Sequence, residues 1–367
     1  MSALALQTGA VNLGQGFPDT DGPVEVSEAA VEAIRGGANQ YPPGPGIADL
    51  RRAVAEHQQR FYGITLDPDA EVVVTTGATE AVAAALLGLV DPGDEVVALE
   101  PFYDSYTAGI QFAGGVRVPV TLHAPDFRLD VDRLRDAVTP RTRLILLNTP
   151  HNPTGAVLSD AELSAVAGLA VERDLVVVTD EVYEHMTYDG PHRPLATYPG
   201  MGERTLTISS AGKTFSFTGW KVGWATGPAH LVRAVLMAKQ FLTFVSGAPF
   251  QPAVAVGLRL PDAFFAESLD RLRGKRDRIC AGLREVGFEV FQPAGTYFVT
   301  ADVRPLGWED GVEFCRDLPH KAGVVAIPHQ VFYDDLEAGR PLVRFAFCKR
   351  DEVLDEALKR LQSLRAR

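Results

Sequence analysis

Cysteine is scarce in this sequence. The 367 residues hold three, Cys280, Cys315 and Cys348, far apart and never as CxxC. That spacing disfavours a disulfide framework and a thiolate zinc site, and it fits a reducing cytoplasm. Positive charge is also short: Lys and Arg total 35 against 47 Asp and Glu, a formal net charge of −12. Such a chain lacks the overall field that draws nucleic acid or an anionic membrane. No apolar run reaches about 18 residues without a charge or a turn, so no membrane-spanning helix is expected. The opening MSALALQTGAVNLGQGFPD has no basic start and no long apolar core, so no secretory signal is expected. The eight histidines show no metal-ligand spacing, and no metal site is expected. Repeats and low-complexity tracts are missing too. What remains is 46% hydrophobic and 22% charged, the balance of a soluble globular protein. At roughly 150 residues per domain the length suggests about two domains.

Residues 71–227 alternate between apolar runs and helical patterns. Strands are predicted at Glu71–Thr76, Glu95–Leu99, Leu144–Asn148, Leu175–Thr179, Thr205–Ser209 and Val222–Thr226. An Ala-rich helix should follow Gly77, over Ala78–Val90. Ser159 and Glu162 have the spacing of a capping box, opening a helix to about Arg173. Near-continuous apolar strands separated by helices imply an α/β fold, with a mostly parallel sheet covered on both faces. The last third differs. A helix over Glu267–Val286 precedes strands at Phe288–Phe291, Tyr297–Ala301 and Leu342–Phe347, with a closing helix at Asp351–Leu364. This reads as a smaller α+β domain. The division expected is a large domain over 41–255, and a small one of 256–367 on which residues 1–40 pack. The basic run Arg271–Arg278 reads as a solvated helix face.

In an open α/β sheet, ligands bind beyond the carboxyl ends of the strands. The residues there are Gly77-Ala78-Thr79, then Pro101-Phe102-Tyr103-Asp104, Asn148 through Gly155, Asp180-Glu181-Val182-Tyr183, and Ser209 through Thr214 with Lys221 beyond. A glycine at a helix start, with free N–H groups behind it, makes an anion site. One edge would thus collect a phosphate cradle, an aromatic plate, an amide, a carboxylate, a phenol and two lysines. A phosphorylated pyridine aldehyde needs that set. Its phosphate needs donors, its ring a stacking partner, its nitrogen a carboxylate, and its aldehyde a lysine for a Schiff base. Blander readings fit less well. Gly212-Lys213-Thr214 suits a phosphate-binding loop of GxxxxGK[ST] type, but the first required glycine is Thr207. Gly14-Gln15-Gly16 is followed by Phe17-Pro18 with no βαβ around it, unlike a dinucleotide fingerprint. Arg344, within LVRFAF, is costly to bury without an anion. The cysteines read as packed thiols, and His151 and His185 as supporting or surface residues.

These motifs resemble the fold type I pyridoxal-phosphate aminotransferases of class I/II. The likeness runs from Asn12-Leu13-Gly14-Gln15-Gly16-Phe17-Pro18 to Val343-Arg344-Phe345, and its most specific parts are SSAGKTFSFTGWKVGW, HNPTG and TDEVYEH. Within the kynurenine/glutamine/methionine aminotransferase-like subgroup, VNLGQGFPD, NQYPPGPG, EPFYDSY, GAPFQPAVA and FCKRDE are most similar to N-succinyldiaminopimelate aminotransferases of lysine biosynthesis. The resemblance implies pyridoxal 5'-phosphate as cofactor. It implies ping-pong transfer of an amino group between an L-amino acid and a 2-keto acid, in a cytoplasmic homodimer. A broad-specificity kynurenine/glutamine/methionine-type aminotransferase, or a C–S β-lyase, is the alternative on the same scaffold.

Residue by residue, Lys213 matches the Schiff-base lysine and general base. Asp180 matches the partner of the pyridinium nitrogen. Tyr183 and Asn152 match the residues bonded to the ring oxygen, and Tyr103 the stacking aromatic. Gly77, Ala78, Thr79, Ser210 and Lys221 match phosphate-site positions. Tyr41 matches the tyrosine that reaches the neighbouring subunit's phosphate, and Phe244 is read as lining that neighbour's pocket. Arg344 matches the arginine on the substrate α-carboxylate, helped by Gly16 and Asn152. The resemblance also implies a longer segment ahead of NLGQGFP than the dozen or so residues here, a departure that bears on substrate selection.

Overall fold

The structure is a computed structural model that describes residues 1–365; residues 366–367, the end of the expected C-terminal domain, lie outside the described residues. The central sheet has seven strands. In chain order they are β2 (Val72–Thr75), β3 (Glu95–Glu100), β4 (Val116–Thr121), β5 (Thr142–Asn148), β6 (Val176–Asp180), β7 (Thr205–Ser210) and β8 (Gly223–Thr226). Their spatial order is β2-β8-β7-β6-β5-β3-β4. Every neighbouring pair is parallel except the two that β8 makes, with β2 and β7. Six strands therefore end on one edge, and β8 begins there.

The sheet forms as the apolar runs dictate. β2, β3, β7 and β8 are buried at every position. β2 and β3 read as near-continuous apolar runs because helices cover both faces. One face packs on the helices Gly77–Leu89, Asp104–Phe112 and Ala229–Lys239, and the other on Val131–Ala137 and Asp160–Glu172. The Asp160–Glu172 helix opens on the predicted capping box: Ser159 accepts from the Glu162 backbone, and the Glu162 carboxylate accepts from Ser159 N–H. A cap of this kind contributes about 1 kcal/mol.

A second, antiparallel sheet has the order β12-β13-β10-β9, from Ile327–Pro328, Leu342–Ala346, Phe298–Asp302 and Glu289–Phe291. It packs on the helices Asp262–Val286, Gly311–Lys321 and Asp351–Leu361 in a separate core. The N-terminal residues divide. β1 (Val11–Asn12) pairs with β11 (Val324–Val325) beside this second sheet. The helix Val24–Arg35 instead sets Val26 and Ala30 against Ala253, on the helix Phe250–Leu258. The basic stretch 271–278 is also not wholly solvated. Arg276 is buried, 4.6 Å above the Tyr188 ring. It shares a helix face with Ile279, Cys280 and Leu283, which are buried three to seven residues on. All three cysteines are free, buried thiols.

Candidate active site

At the carboxyl edge of the central sheet lies a cleft of about 480 Å³, closed on its far side by β12, β13 and the turn at Val331–Phe332. Topology explains its chemistry. Asn148 and Asp180 are the last residues of adjacent parallel strands and stand in register. Ser210 ends the next strand, opposite Gly223 of β8. Polar residues that directly follow buried strands are thereby brought together, though they lie far apart in the chain.

Asp180 is buried. Burial pushes its pKa up, while the hydrogen bond from Tyr106 and the charge of Lys213 pull it down. Tyr106 donates its phenol proton to Asp180 Oδ2 at 2.6 Å. The Asn148 side chain ties the Asp180 carbonyl at 2.8 Å and accepts from the Asn152 backbone N–H at 2.7 Å.

Lys213 sits in the one-turn helix Ala211–Thr214 after β7. Burial lowers its pKa to about 8, against the opposing pull of Cys348 and Asp180. Its Nζ donates to the Tyr297 phenol oxygen at 2.9 Å. Tyr183, fully buried, presents its ring 5.6 Å from the same Nζ, and burial pushes its phenol pKa far up.

Gly77 opens the 13-residue helix Gly77–Leu89 with no side-chain cap from Thr76. Its φ is +73°, and a Cβ there would come within 3.2 Å of Lys221 Nζ. A Cβ on Gly223 would meet the Gly77 backbone at 2.6 Å. Lys221 itself is held at φ 54°, a left-handed conformation that costs a non-glycine residue about 1 kcal/mol or more. Free helical N–H groups beside a close ammonium make an anion cradle.

Arg344 projects from β13, while its neighbours Val343 and Phe345 face the second core. Burial lowers its pKa to about 10. Its Nη1 donates to Asn152 Oδ1 at 2.7 Å and its Nη2 to the Gly14 carbonyl at 3.1 Å. Its Nε has no partner, and no carboxylate pairs with it among the described residues. The guanidinium lies 4.1 Å from the Phe298 ring centroid and 4.9 Å from that of Phe332.

Twelve of the thirteen residues singled out from sequence line this cleft: Gly16, Gly77, Ala78, Thr79, Tyr103, Asn152, Asp180, Tyr183, Ser210, Lys213, Lys221 and Arg344. The thirteenth, Tyr41, is 83% exposed and outside it, with its ring edge-on to Phe244 at 5.7 Å. Sequence reasoning missed Tyr106 and Tyr297, whose phenols hold Asp180 and Lys213. It also missed Phe298 and Phe332 beneath Arg344. Tyr106 was within reach, three residues after Tyr103 on a predicted strand end. His151, buried, bonds Thr154. His185 and His57 bond each other through Nε2 at 2.8 Å, packed against Phe61 and Phe265, with Glu184 alongside.

The arrangement fits pyridoxal 5'-phosphate on its own terms. The uncapped helix start with Lys221 suits a phosphate, a buried carboxylate suits a ring nitrogen, and a buried amine of lowered pKa suits an aldehyde. The unpaired Nε of Arg344 asks for an anion that the chain does not provide.

Comparison with known proteins agrees. The family model for "Aminotransferase class I and II" matches residues 8–361. The chain is similar to the solved N-succinyldiaminopimelate aminotransferase from Mycobacterium tuberculosis, at 59% identity and TM-score 0.97, covering 99% of this chain and 96% of that one. It is 40% identical to the methionine aminotransferase of Escherichia coli, over 99% of this chain and 94% of that protein. It is 38% identical to a kynurenine–oxoglutarate transaminase of Dictyostelium discoideum, over 99% of this chain and 93% of that protein.

Proposed function

The chain belongs to the class I and II aminotransferases, and on that premise we propose that it moves an amino group between N-succinyldiaminopimelate and 2-oxoglutarate in lysine biosynthesis. It is a pyridoxal-phosphate-dependent transaminase of fold type I. When bound, the cofactor supplies an aldehyde carbon that takes up the amino group and a protonated ring that draws off the electron pair left at the substrate Cα. The chain's own residues do the rest. Lys213 Nζ would take the proton from the substrate Cα and deliver it to the carbon that had been the cofactor's aldehyde, and its pKa of about 8 puts the neutral amine within reach near neutral pH. The Asp180 carboxylate keeps a proton on the ring nitrogen, held in register by Tyr106 and Asn148. Tyr183 and Asn152 would bind the ring oxygen, and Tyr103 would cover the ring. Gly77, Ala78, Thr79, Ser210 and Lys221 would hold the phosphate. The Arg344 fork takes the α-carboxylate with the Gly16 backbone and Asn152 beside it. The working unit is a cytoplasmic homodimer in which Tyr41, outside its own cleft, completes the partner's. Residues 41–255 form the cofactor-holding domain, on which the helix Val24–Arg35 also packs, and the second sheet with its helices and β1 forms the smaller one.

The observation that carries the reaction is the meeting of Lys213, Asp180 and Arg344 in one cleft. Full-length similarity to the M. tuberculosis enzyme supports the substrate. The test is a panel of donors and acceptors. N-succinyldiaminopimelate with 2-oxoglutarate should give the highest kcat/KM, and Lys213→Ala should bind cofactor while abolishing turnover. A higher kcat/KM for methionine or kynurenine would replace the substrate assignment. Pyruvate release from a cysteine S-conjugate without a keto acceptor would replace it with β-elimination. Substantial transamination by Lys213→Ala would remove the base from its place.

A further inference from the structure

The amine of Lys213 is held by a chain of two hydrogen bonds whose polarity can be worked out. Lys213 Nζ lies 2.9 Å from Tyr297 Oη, and Tyr297 Oη lies 2.6 Å from the Gly16 carbonyl oxygen. Nζ also donates directly to that carbonyl, over a longer 3.4 Å. Burial pushes the Tyr297 phenol pKa well above its ordinary value, so this hydroxyl keeps its proton. A carbonyl oxygen can only accept. The single phenol proton therefore goes to Gly16, and the phenol oxygen offers Lys213 only lone pairs. Lys213 must donate. A neutral amine that donates one N–H keeps its own lone pair unused, whereas an amine accepting from a phenol would have it occupied and could not act as a base.

Tyr297 is built to hold this position. It is 1% exposed, with its ring edge-on to Tyr183 at 5.3 Å and to Phe298 at 4.9 Å. Its carbonyl accepts from Phe347 N–H at 2.9 Å. The residue before it, Thr296, is at φ 62°, a conformation that cross-bonds must maintain.

We propose that Tyr297 is a positioning residue for the proton transfer: it holds the free amino group of Lys213 by accepting an N–H, so that the nitrogen lone pair stays directed into the cleft. This rests on the reading of Lys213 as the base. It also implies a charge effect. An acceptor at 2.9 Å favours the ammonium form, so Tyr297 works with Asp180 and Cys348, and against burial, Arg344 and Lys221, in setting the Lys213 pKa.

The test is Tyr297→Phe in the full chain, with two measurements. In cofactor-free protein, competitive labelling with acetic anhydride across pH, read by mass spectrometry on the Lys213 peptide, reports its pKa. The variant should titrate lower than the wild type by up to about one unit, because the lost acceptor destabilises the ammonium. In the holoenzyme, kcat should fall roughly 10- to 100-fold with KM nearly unchanged. The isotope effect with a Cα-deuterated donor should rise, a change that a purely structural role would not cause. If the phenylalanine variant fails to fold, 4-methylphenylalanine at position 297 tests the same point, since it keeps the ring and its bulk but offers no acceptor and should lower the Lys213 pKa in the same direction. An unchanged labelling midpoint with an unchanged isotope effect overturns the proposal. If Lys213→Ala is inactive while Tyr297→Phe matches the wild type, only this inference fails. If Lys213→Ala still transaminates, the reading beneath it fails.

Discussion

Replacing Arg344 with lysine isolates what a guanidinium contributes to a receptor for the α-carboxylate. The arginine is 7% exposed and lacks a carboxylate partner among the described residues. Two of its nitrogens are fixed by Asn152 and Gly14, which sets the plane of the fork and leaves Nε unpaired. Phe298 and Phe332 exclude water from its faces. Lysine keeps the charge, but it cannot give a carboxylate two parallel bonds. The loss should therefore be about one charge-assisted hydrogen bond, about 1.5–3 kcal/mol, or roughly 10- to 150-fold in kcat/KM. Every amino-acid donor and every keto-acid acceptor carries that carboxylate, so Arg344→Lys should depress all of them alike in a steady-state panel. The cofactor absorbance should hardly change. A loss confined to one substrate would show that Arg344 reads a side chain instead, and a loss below about threefold would show that the fork is not used.

Three further outcomes follow from the geometry. Tyr106→Phe removes the donor at 2.6 Å from Asp180; the ionised carboxylate loses support, its pKa rises further, and activity should fail at a higher pH on acidification than in the wild type. An unshifted acid limb in the pH profile of kcat/KM would contradict this. Gly77→Ala places a Cβ 3.2 Å from Lys221 Nζ on a backbone at φ +73°, at about 1–2 kcal/mol. Cofactor affinity, measured by titrating cofactor-free protein, should drop roughly 5- to 30-fold, and an unchanged dissociation constant would remove Gly77 from the phosphate site. Mixing Tyr41→Phe chains with Lys213→Ala chains should yield mixed dimers with one intact and one doubly defective site. Absence of such complementation, or active enzyme that sediments as a monomer, would end the shared-site reading.

The central sheet was legible wherever both of its faces are covered. Runs such as Val72–Thr75 and Leu144–Asn148 are buried at every position, and uninterrupted apolar letters are what that burial requires. β4 went unread for the opposite reason. Val116–Thr121 is an edge strand bonded only to β3, mostly exposed or half-buried, with an arginine and a proline in it. An edge position tolerates both, so the pattern that marks a strand is diluted. Taken as one charged run, 271–278 hides the buried Arg276. Helical spacing puts it with Ile279, Cys280 and Leu283, and counting in threes and fours would have turned it inward.

The site divides along the same physical line. Asn148 and Asp180 end buried strands, and Gly77 and Lys213 come within three residues of the end of one. Parallel topology then converts a fact about one dimension, a polar residue after an apolar run, into shared position in space. No such conversion exists for contacts that cross from one sheet to the other. The Tyr297 phenol reaches Gly16 across 281 residues of chain, and Arg344 reaches Gly14 across 330. Neither spacing is periodic, and neither partner is charged, so local pattern has nothing to read. Tyr297 occupies a strand-like apolar segment, where a tyrosine ring satisfies the core equally well with its hydroxyl idle. Only the register of the second sheet against the N-terminal loop determines that this hydroxyl meets Lys213. The residues that do the chemistry are therefore announced by their place in the chain, whereas the residue that aims the base is specified by packing.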